Sequence, residues 1–455
     1  MTAPANSFIA GSIPRVLART ALPIIFLTSL NGLLTVVDAI LLGAFVGPDA
    51  LAAVTLMFPL VMLLSALATM VSSGMASVLA RQLGAGHLVE ARASFAGAHG
   101  LLLAVYVIVL ALFAVVGRPL VDLVAGGEPH LAEMAWQFLA ITVFTSPLLL
   151  LVSVHSDGLR VEGRIGFMAL GGVVVTLGNM VFNVAFIAWA GMGVAGSAWG
   201  SALAQAVAVA AILAYRQAGK AQIRLGIADL RSWREGWSEM LALGAPRSLS
   251  FIGIALGSAA TILALRLHAD GGQGETVAAY GVITRIMTFA YLPLLGMSLA
   301  MQAVVGNNYG AGLWERSNAA LKLTMVYALV YSTVVEVVLL VGRESVGAIF
   351  VSEPAVIAEI GRIVPFYVMF YFTLGPMMMI ASYLQSIGDA RRSALLSLAR
   401  TYLFAVPLTF LLPPIMGETG IWLAYPAADF LLVVVTGLVL FGQSRQFSWG
   451  LFKTA

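Results

Sequence analysis

The sequence has no cysteine, which excludes disulfides and thiolate metal sites. Charge is scarce as well: Asp, Glu, Lys and Arg are 10% of the 455 residues, against roughly 25% in a soluble domain. With 60% of the chain hydrophobic, a water-soluble fold would have too few polar side chains to cover its surface. No stretch is long enough for a soluble domain, the longest polar one being 217–238. The pattern G-x-x-x-x-G-K-[ST] is absent, so ATP in a P-loop is excluded as the direct energy source. The five histidines are scattered without metal-ligand spacing. Residues 1–14 carry no Lys or Arg and Asp38 interrupts the first apolar run, so that run does not read as a cleavable signal.

What the chain does have is apolar runs of twenty residues or more, each able to cross about 30 Å of hydrocarbon. They predict spans at 17–46, 51–80, 92–116, 131–156, 165–190, 193–215, 240–267, 276–306, 317–341, 355–386, 393–415 and 420–443. The runs are continuously apolar rather than ten-residue alternations, so helices are expected and not a barrel. With both termini inside, the cytoplasmic segments hold Arg81, Arg92, Arg160, Arg164, Arg216, Lys220, Arg224, Arg231, Arg234, Arg316, Lys322, Arg391, Arg392, Arg445 and Lys453. The outer side keeps Arg118, Arg266, Arg343 and Arg362. This bias predicts a multi-pass protein of the bacterial cytoplasmic (inner) membrane with cytoplasmic termini. The net charge of +3 follows that distribution and does not point to nucleic acid. Segment 217–238, with Trp233 and Trp237 among basic residues, reads either as a linker lying in the cytoplasmic interface or as a solvated loop.

The chain also repeats itself. Ala21-Leu22-Pro23 returns as Gly244-Ala245-Pro246, and Asp49-Ala50-Leu51-Ala52-Ala53 as Glu275-Thr276-Val277-Ala278-Ala279. Arg81-Gln82-Leu83-Gly84-Ala85-Gly86 returns as Asn307-Asn308-Tyr309-Gly310-Ala311-Gly312. Leu159–Gly163 corresponds to Leu384–Gly388, and Gly193–Gly196 to Gly417–Gly420. Each offset lies between about 223 and 226 residues. An even number of spans per half gives parallel repeats, a transporter pattern with substrate sites between the halves. The predicted domains are 1–216 (spans 1–6), a linker at 217–238, and 239–455 (spans 7–12).

Twelve spans, Pro23 and Asp38 in the first helix, the G-A-G turns after spans 2 and 8, and the Gly-x-x-Gly starts of spans 6 and 12 resemble the multidrug and toxic compound extrusion family. The likeness covers essentially the whole chain. It implies an all-α membrane protein of two pseudo-symmetric six-helix bundles forming a V-shaped cleft. It also implies export of amphipathic, often cationic compounds in exchange for protons or sodium, by a protein acting as a monomer among lipids. No other cofactor is expected, and the protein is expected to be a transporter rather than an enzyme. A lipid-linked saccharide flippase of the same superfamily is the alternative. It would need a strongly basic cleft for a pyrophosphate, whereas the intramembrane charges here are few and mostly acidic.

Ionisable groups at membrane depth are costly and mark function by default. At about 1.5 Å per residue, Asp38 lies roughly 14 Å from the outer end of its helix near Gly47. Asn183 and Asn179 on span 5 lie roughly 10 and 16 Å from Ala190, and Ser201 on span 6 roughly 12 Å from Gly193. These four polar groups are therefore expected in one layer, with no Lys or Arg of the first half beside them. An unpaired carboxylate in such a layer binds a proton or, with amide and hydroxyl oxygens, sodium. The resemblance assigns the same four residues to cation coupling, and Asn183, where some members carry a second carboxylate, favours the proton. Pro23 removes a helical hydrogen bond and is a candidate hinge. In the second half, Arg285 and Asp429 are expected at similar depth, paired statically or switching during transport, with Glu336 shallower. His99 reads as a packed histidine. The run Met377-Met378-Met379 reads as an adaptable cavity wall or as ordinary lipid-facing or core side chains.

Overall fold

The computed structural model of the chain describes residues 6–224, 226–268 and 273–444, and their side chains apart from 33–40, 42–44, 227, 228, 230, 273, 344 and 442–444. Among the described residues there is no strand. The first six long helices are α1 (Ile13–Phe45), α2 (Pro48–Gly84), α3 (Leu88–Val124), α4 (Pro129–Val161), α5 (Ile165–Val184) and α6 (Gly193–Gln217). After the linker come α7 (Trp237–His268), α8 (Gln273–Gly310), α9 (Trp314–Val341), α10 (Arg343–Phe350), α11 (Pro354–Tyr367) and α12 (Tyr371–Ile387). The chain ends with α13 (Ala390–Leu398), α14 (Val406–Leu411), α15 (Pro413–Met416) and α16 (Glu418–Ser444). Among the described residues eleven stretches are long and apolar enough to cross a membrane, and α11 with α12 make a twelfth if counted as one broken span. The all-α membrane architecture expected from composition is what the chain adopts.

Local chemistry accounts for the boundaries. Pro48, Pro129 and Pro354 open α2, α4 and α11, at the first turn, where proline's missing N–H has no intrahelical partner to lose. The last glycine of each G-A-G turn, Gly86 and Gly312, has φ of 79° and 73°, left-handed backbone that favours glycine. Pro23 lies inside α1, which continues through it.

Two stretches depart from single regular helices. Span 10, expected unbroken over 355–386, bends by 52° between Tyr367 and Tyr371. Pro365 and Pro376 flank that break, and each removes a helical N–H and crowds the carbonyl four residues earlier. Span 11 widens to a π-helix over Ala399–Ala405, just before Pro407. A shorter π stretch, Ala185–Trp189, follows α5.

The described residues pack as two compact units. The first lies within Met1–Gly11, Leu22–Ser248 and Gly306–Gly312. There α2 packs against α3 and α4, α4 against α6, and α5 against α6, over a core that includes Ala50, Ala53, Met57, Leu64 and Leu139. The two G-A-G turns meet in this unit. A Cβ on Gly84 would collide with the backbone of Asn307, and one on Gly310 with the backbone of Arg81. In both contacts a glycine meets the residue three places before its repeat-mate, so the repeat is reproduced as a reciprocal contact. The second unit lies within Ser12–Ala21, Leu249–Val305 and Leu313–Ala455. Here α9 packs against α12, α11 against α16, and α16 against the π stretch and α14.

The linker has defined contacts with α3 in the first unit. Trp237 Nε1 lies 2.8 Å from both the Gly97 and the Trp233 carbonyl oxygens. Gly97 and Gly100 have no side chain to hold the backbone of Glu235 and Trp233 away.

Candidate functional site

In the first unit, α5 presents Thr176, Asn179 and Asn183 at three- and four-residue spacing, hence on one face. All three are buried. Asn179 Nδ2 donates to Ser201 Oγ on α6 at 2.6 Å, and Asn183 Nδ2 donates to Asn179 Oδ1 at 3.0 Å. One turn nearer the start of α5, Thr176 Oγ1 lies 2.6 Å from Asn31 Oδ1 on α1 and 2.9 Å from the Gly172 carbonyl. Gly200 makes room for this network: a Cβ there would collide with Asn183 Oδ1. Three of the four residues expected in the layer are thus joined by hydrogen bonds. The fourth, Asp38, stands seven residues beyond Asn31 on α1, and its side chain lies outside the described residues. Asn31 and Thr176 escaped the sequence reading, although each is a hydrogen-bonding side chain within a predicted span.

The second unit is built from charge. Arg400, in the π stretch, donates from Nε and Nη2 to Asp429 Oδ1 and Oδ2 at 2.5 and 3.0 Å. The Arg400 guanidinium lies 5.6 Å from the centroid of the Tyr425 ring, and Tyr425 lies 5.1 Å from Tyr367. The expected pairing of Arg285 with Asp429 is therefore corrected: Asp429 is bonded to Arg400. Arg285 is exposed and has no ion-pair partner among the described residues. The geometry explains the choice, because the π stretch packs directly on α16 and a guanidinium fork matches a carboxylate edge with two bonds. Arg400 was visible as an arginine inside a predicted span, and that was the overlooked signal.

Glu336, on α9, is half-buried and reaches the break in span 10, where its Oε2 accepts the Phe372 N–H at 2.7 Å. Nearer the start of α16, Arg362 bridges Glu359 and Glu418, and Glu418 accepts the Trp422 indole N–H at 3.0 Å. Met379 is buried, while Met377 and Met378 are half-buried.

His99 packs in the first unit, its Nδ1 2.8 Å from the Phe95 carbonyl and its Nε2 3.3 Å from His155 Nε2. Beside this pair Arg216 bonds Glu162 at 2.7 Å, a buried ion pair. Among the described residues no group of three His, Cys, Asp or Glu is placed to hold a metal.

A family model, MatE, matches residues 23–186 and again 248–411. The chain belongs to the MatE family, the multidrug and toxic compound extrusion transporters. The two MatE matches start 225 residues apart, within the offsets read from the repeat. The first contains Pro23, Asp38, Asn179 and Asn183, and the second contains Arg285, Glu336 and Arg400. Among similar proteins, one of Shewanella oneidensis named FAD transporter is 25% identical over 443 residues, covering 94% of each chain. A probable multidrug resistance protein, YoeA of Bacillus subtilis, is 21% identical over 96% of this chain and 94% of its own. Of solved MatE structures, the multidrug transporter DinF-BH is 28% identical, with TM-score 0.86 over 97% of this chain and 98% of its own. An outward-facing multidrug resistance transporter of the MOP superfamily shares the fold at TM-score 0.88 and 23% identity, covering 100% of both chains.

Proposed function

We propose that this MatE transporter is a secondary antiporter that exports small amphipathic or cationic compounds across the inner membrane in exchange for protons. Asp38 carries the coupling proton. The observation that carries this reading is the hydrogen-bonded face Asn179–Asn183–Ser201, with Thr176 beside it bonded to Asn31 on the helix that bears Asp38. The five side chains of that network are themselves neutral. In this reading Asp38, the one carboxylate in the sequence of α1, is the group that takes the proton, and neutral amides and hydroxyls rearrange around either of its protonation states. Protonation of Asp38 from outside favours one arrangement of α1, α5 and α6, and substrate favours another. The two ligands need no shared atoms, only opposite preferences between states. Pro23 gives α1 a place to bend.

The test is ethidium efflux from vesicles at matched expression, under an imposed proton or sodium gradient, comparing wild type with Asp38→Asn. Proton-driven efflux present in wild type and lost in Asp38→Asn is expected. Efflux driven by sodium with the proton gradient collapsed would overturn the choice of ion, and normal transport by Asp38→Asn would overturn the choice of residue.

A second reading concerns the cargo. The relative named FAD transporter is 25% identical over 94% of the chain, which makes flavin dinucleotide a substrate to place beside ethidium in the same assay. FAD moved under the same gradient while ethidium is not would favour that reading.

A further inference from the structure

The linker lies across α3, and the face it crosses says at what level it sits. Gly97 and Gly100 are buried, and a Cβ on either would collide with the backbone of Glu235 or Trp233. The Trp237 indole N–H points between the Gly97 and Trp233 carbonyl oxygens, 2.8 Å from each. Farther along α3 the same face is bare and apolar. Leu103 and Val107, three and seven residues past Gly100 and so on its side of the helix, are 57% and 54% exposed. In a helix that crosses hydrocarbon, an uncovered apolar face is the one that lipid covers. Leu103 is roughly 4.5 Å from Gly100 along the helix axis. The linker therefore crosses the lipid face of α3 where that face leaves the hydrocarbon.

Its side chains suit that level. Trp233 is exposed although its backbone is pressed on Gly100, and its ring meets that of Trp237 edge-on at 5.3 Å. Tryptophan, an apolar ring with one N–H, favours the boundary between headgroups and chains. The Arg234 guanidinium lies 4.3 Å from the centroid of the Trp233 ring. Residues 217–238 hold four basic side chains, Lys220, Arg224, Arg231 and Arg234, against two acids, Asp229 and Glu235. All four are exposed, and none makes an ion pair among the described residues. Asp229 turns back to accept the Gly226 N–H at 2.7 Å, and Glu239, just past the linker, pairs with Arg81. Glu235 stands exposed beside the basic groups.

We propose that the linker is a docking surface for anionic phospholipid, with Trp233 set at the headgroup boundary and Arg231 and Arg234 taking lipid phosphate. The leaflet is the cytoplasmic one by the charge bias of the sequence. A guanidinium fork matches two phosphate oxygens. Phosphatidylethanolamine and phosphatidylcholine bring their own cation to each phosphate; phosphatidylglycerol does not, so it gains most from unpaired arginines. The proposal goes beyond the exporter reading and stands whichever ion or cargo is used.

The test uses the full-length protein in phosphatidylethanolamine liposomes. The chain has no cysteine, so Ser232→Cys takes a single NBD fluorophore on the linker. Lipids carrying a nitroxide near the headgroup then report contact by quenching. Labelled phosphatidylglycerol is expected to quench at least about fivefold more strongly than labelled phosphatidylcholine at equal mole fraction, the effect of one basic side chain at an anionic surface. Adding Arg231→Gln and Arg234→Gln should bring the two lipids level, and high salt should do the same with the arginines in place. A label quenched by iodide from the water and by neither lipid would make the linker a solvated loop and overturn the proposal. Equal quenching by the two lipids with the arginines in place, or a preference that survives their removal, overturns it as well. A preference abolished by inorganic phosphate at constant ionic strength would make free phosphate the ligand and overturn the choice of lipid.

Discussion

The two units place polar chemistry within comparable helices and use opposite means. In the first, α5 and α6 meet through Asn179, Asn183 and Ser201, and α1 joins through Asn31 and Thr176; every described member is neutral. In the second, span 11 and α16 meet through a full ion pair, Arg400–Asp429, edged with tyrosines. Arg400 stands about one repeat length after Thr176, so related positions of the two halves carry a guanidinium and a hydroxyl. Neutral amides and hydroxyls carry no net charge, so exchanging partners among them strands none. A buried ion pair resists separation, because removing either partner strands a charge in low dielectric. The same fold thus offers one layer held by neutral hydrogen bonds and one held by an ion pair.

The widest separation between the units is expected from breaking the ion pair. Asp429→Leu leaves Arg400 without its partner and should cost about 3–5 kcal/mol, read as a large drop in melting temperature or folded yield. The double variant Arg400→Met, Asp429→Leu should recover most of that loss. If the single and double variants behave alike, the pair is not what holds span 11 to α16.

A smaller loss is expected in the first unit. Asn179→Leu removes the partner of both Ser201 and Asn183, and stranded buried polar groups cost about 1–3 kcal/mol. A melting temperature unchanged by this substitution would mean that the layer is already wet. Gly200→Ala should cost a comparable or lesser amount, about 1–3 kcal/mol for an overpacked contact, because its Cβ must displace Asn183. Gly437→Ala in α16 is the control: nothing lies within 4 Å of its Cβ, and alanine should leave stability unchanged or slightly raised. The smallest effect belongs to Arg285→Gln. An exposed arginine with no ion-pair partner among the described residues should show no measurable shift in melting temperature. A large shift would mean that Arg285 has a partner outside the described residues.

Depth along a helix could be read from the residues, because rise per residue is constant. That is why Asn179, Asn183 and Ser201 were expected in one layer, and hydrogen bonds join them in the structure. Rotation about a helix could not be read in this way. An apolar span has no polar face to orient it, and its rotation is set by packing against its neighbours. Arg285 and Arg400 were both arginines at membrane depth with Asp429 in reach by depth alone, and packing of the π stretch on α16 decided between them. The break in span 10 had its prolines in plain view. Which peptide N–H would be freed, and that Glu336 from another helix would take it, depended on the approach of α9.

Composition and periodicity determined that the chain lives in a bilayer, how many times it crosses, and that it is built twice. The solvent sets those properties: hydrocarbon demands long apolar helices with satisfied backbones, and a duplicated sequence duplicates them. Tertiary structure decided the partners: arginine with carboxylate, amide with hydroxyl, and Glu336 with the Phe372 N–H. Those depend on angles and distances between helices, which arise from side chains of different segments fitting together and which no single segment encodes.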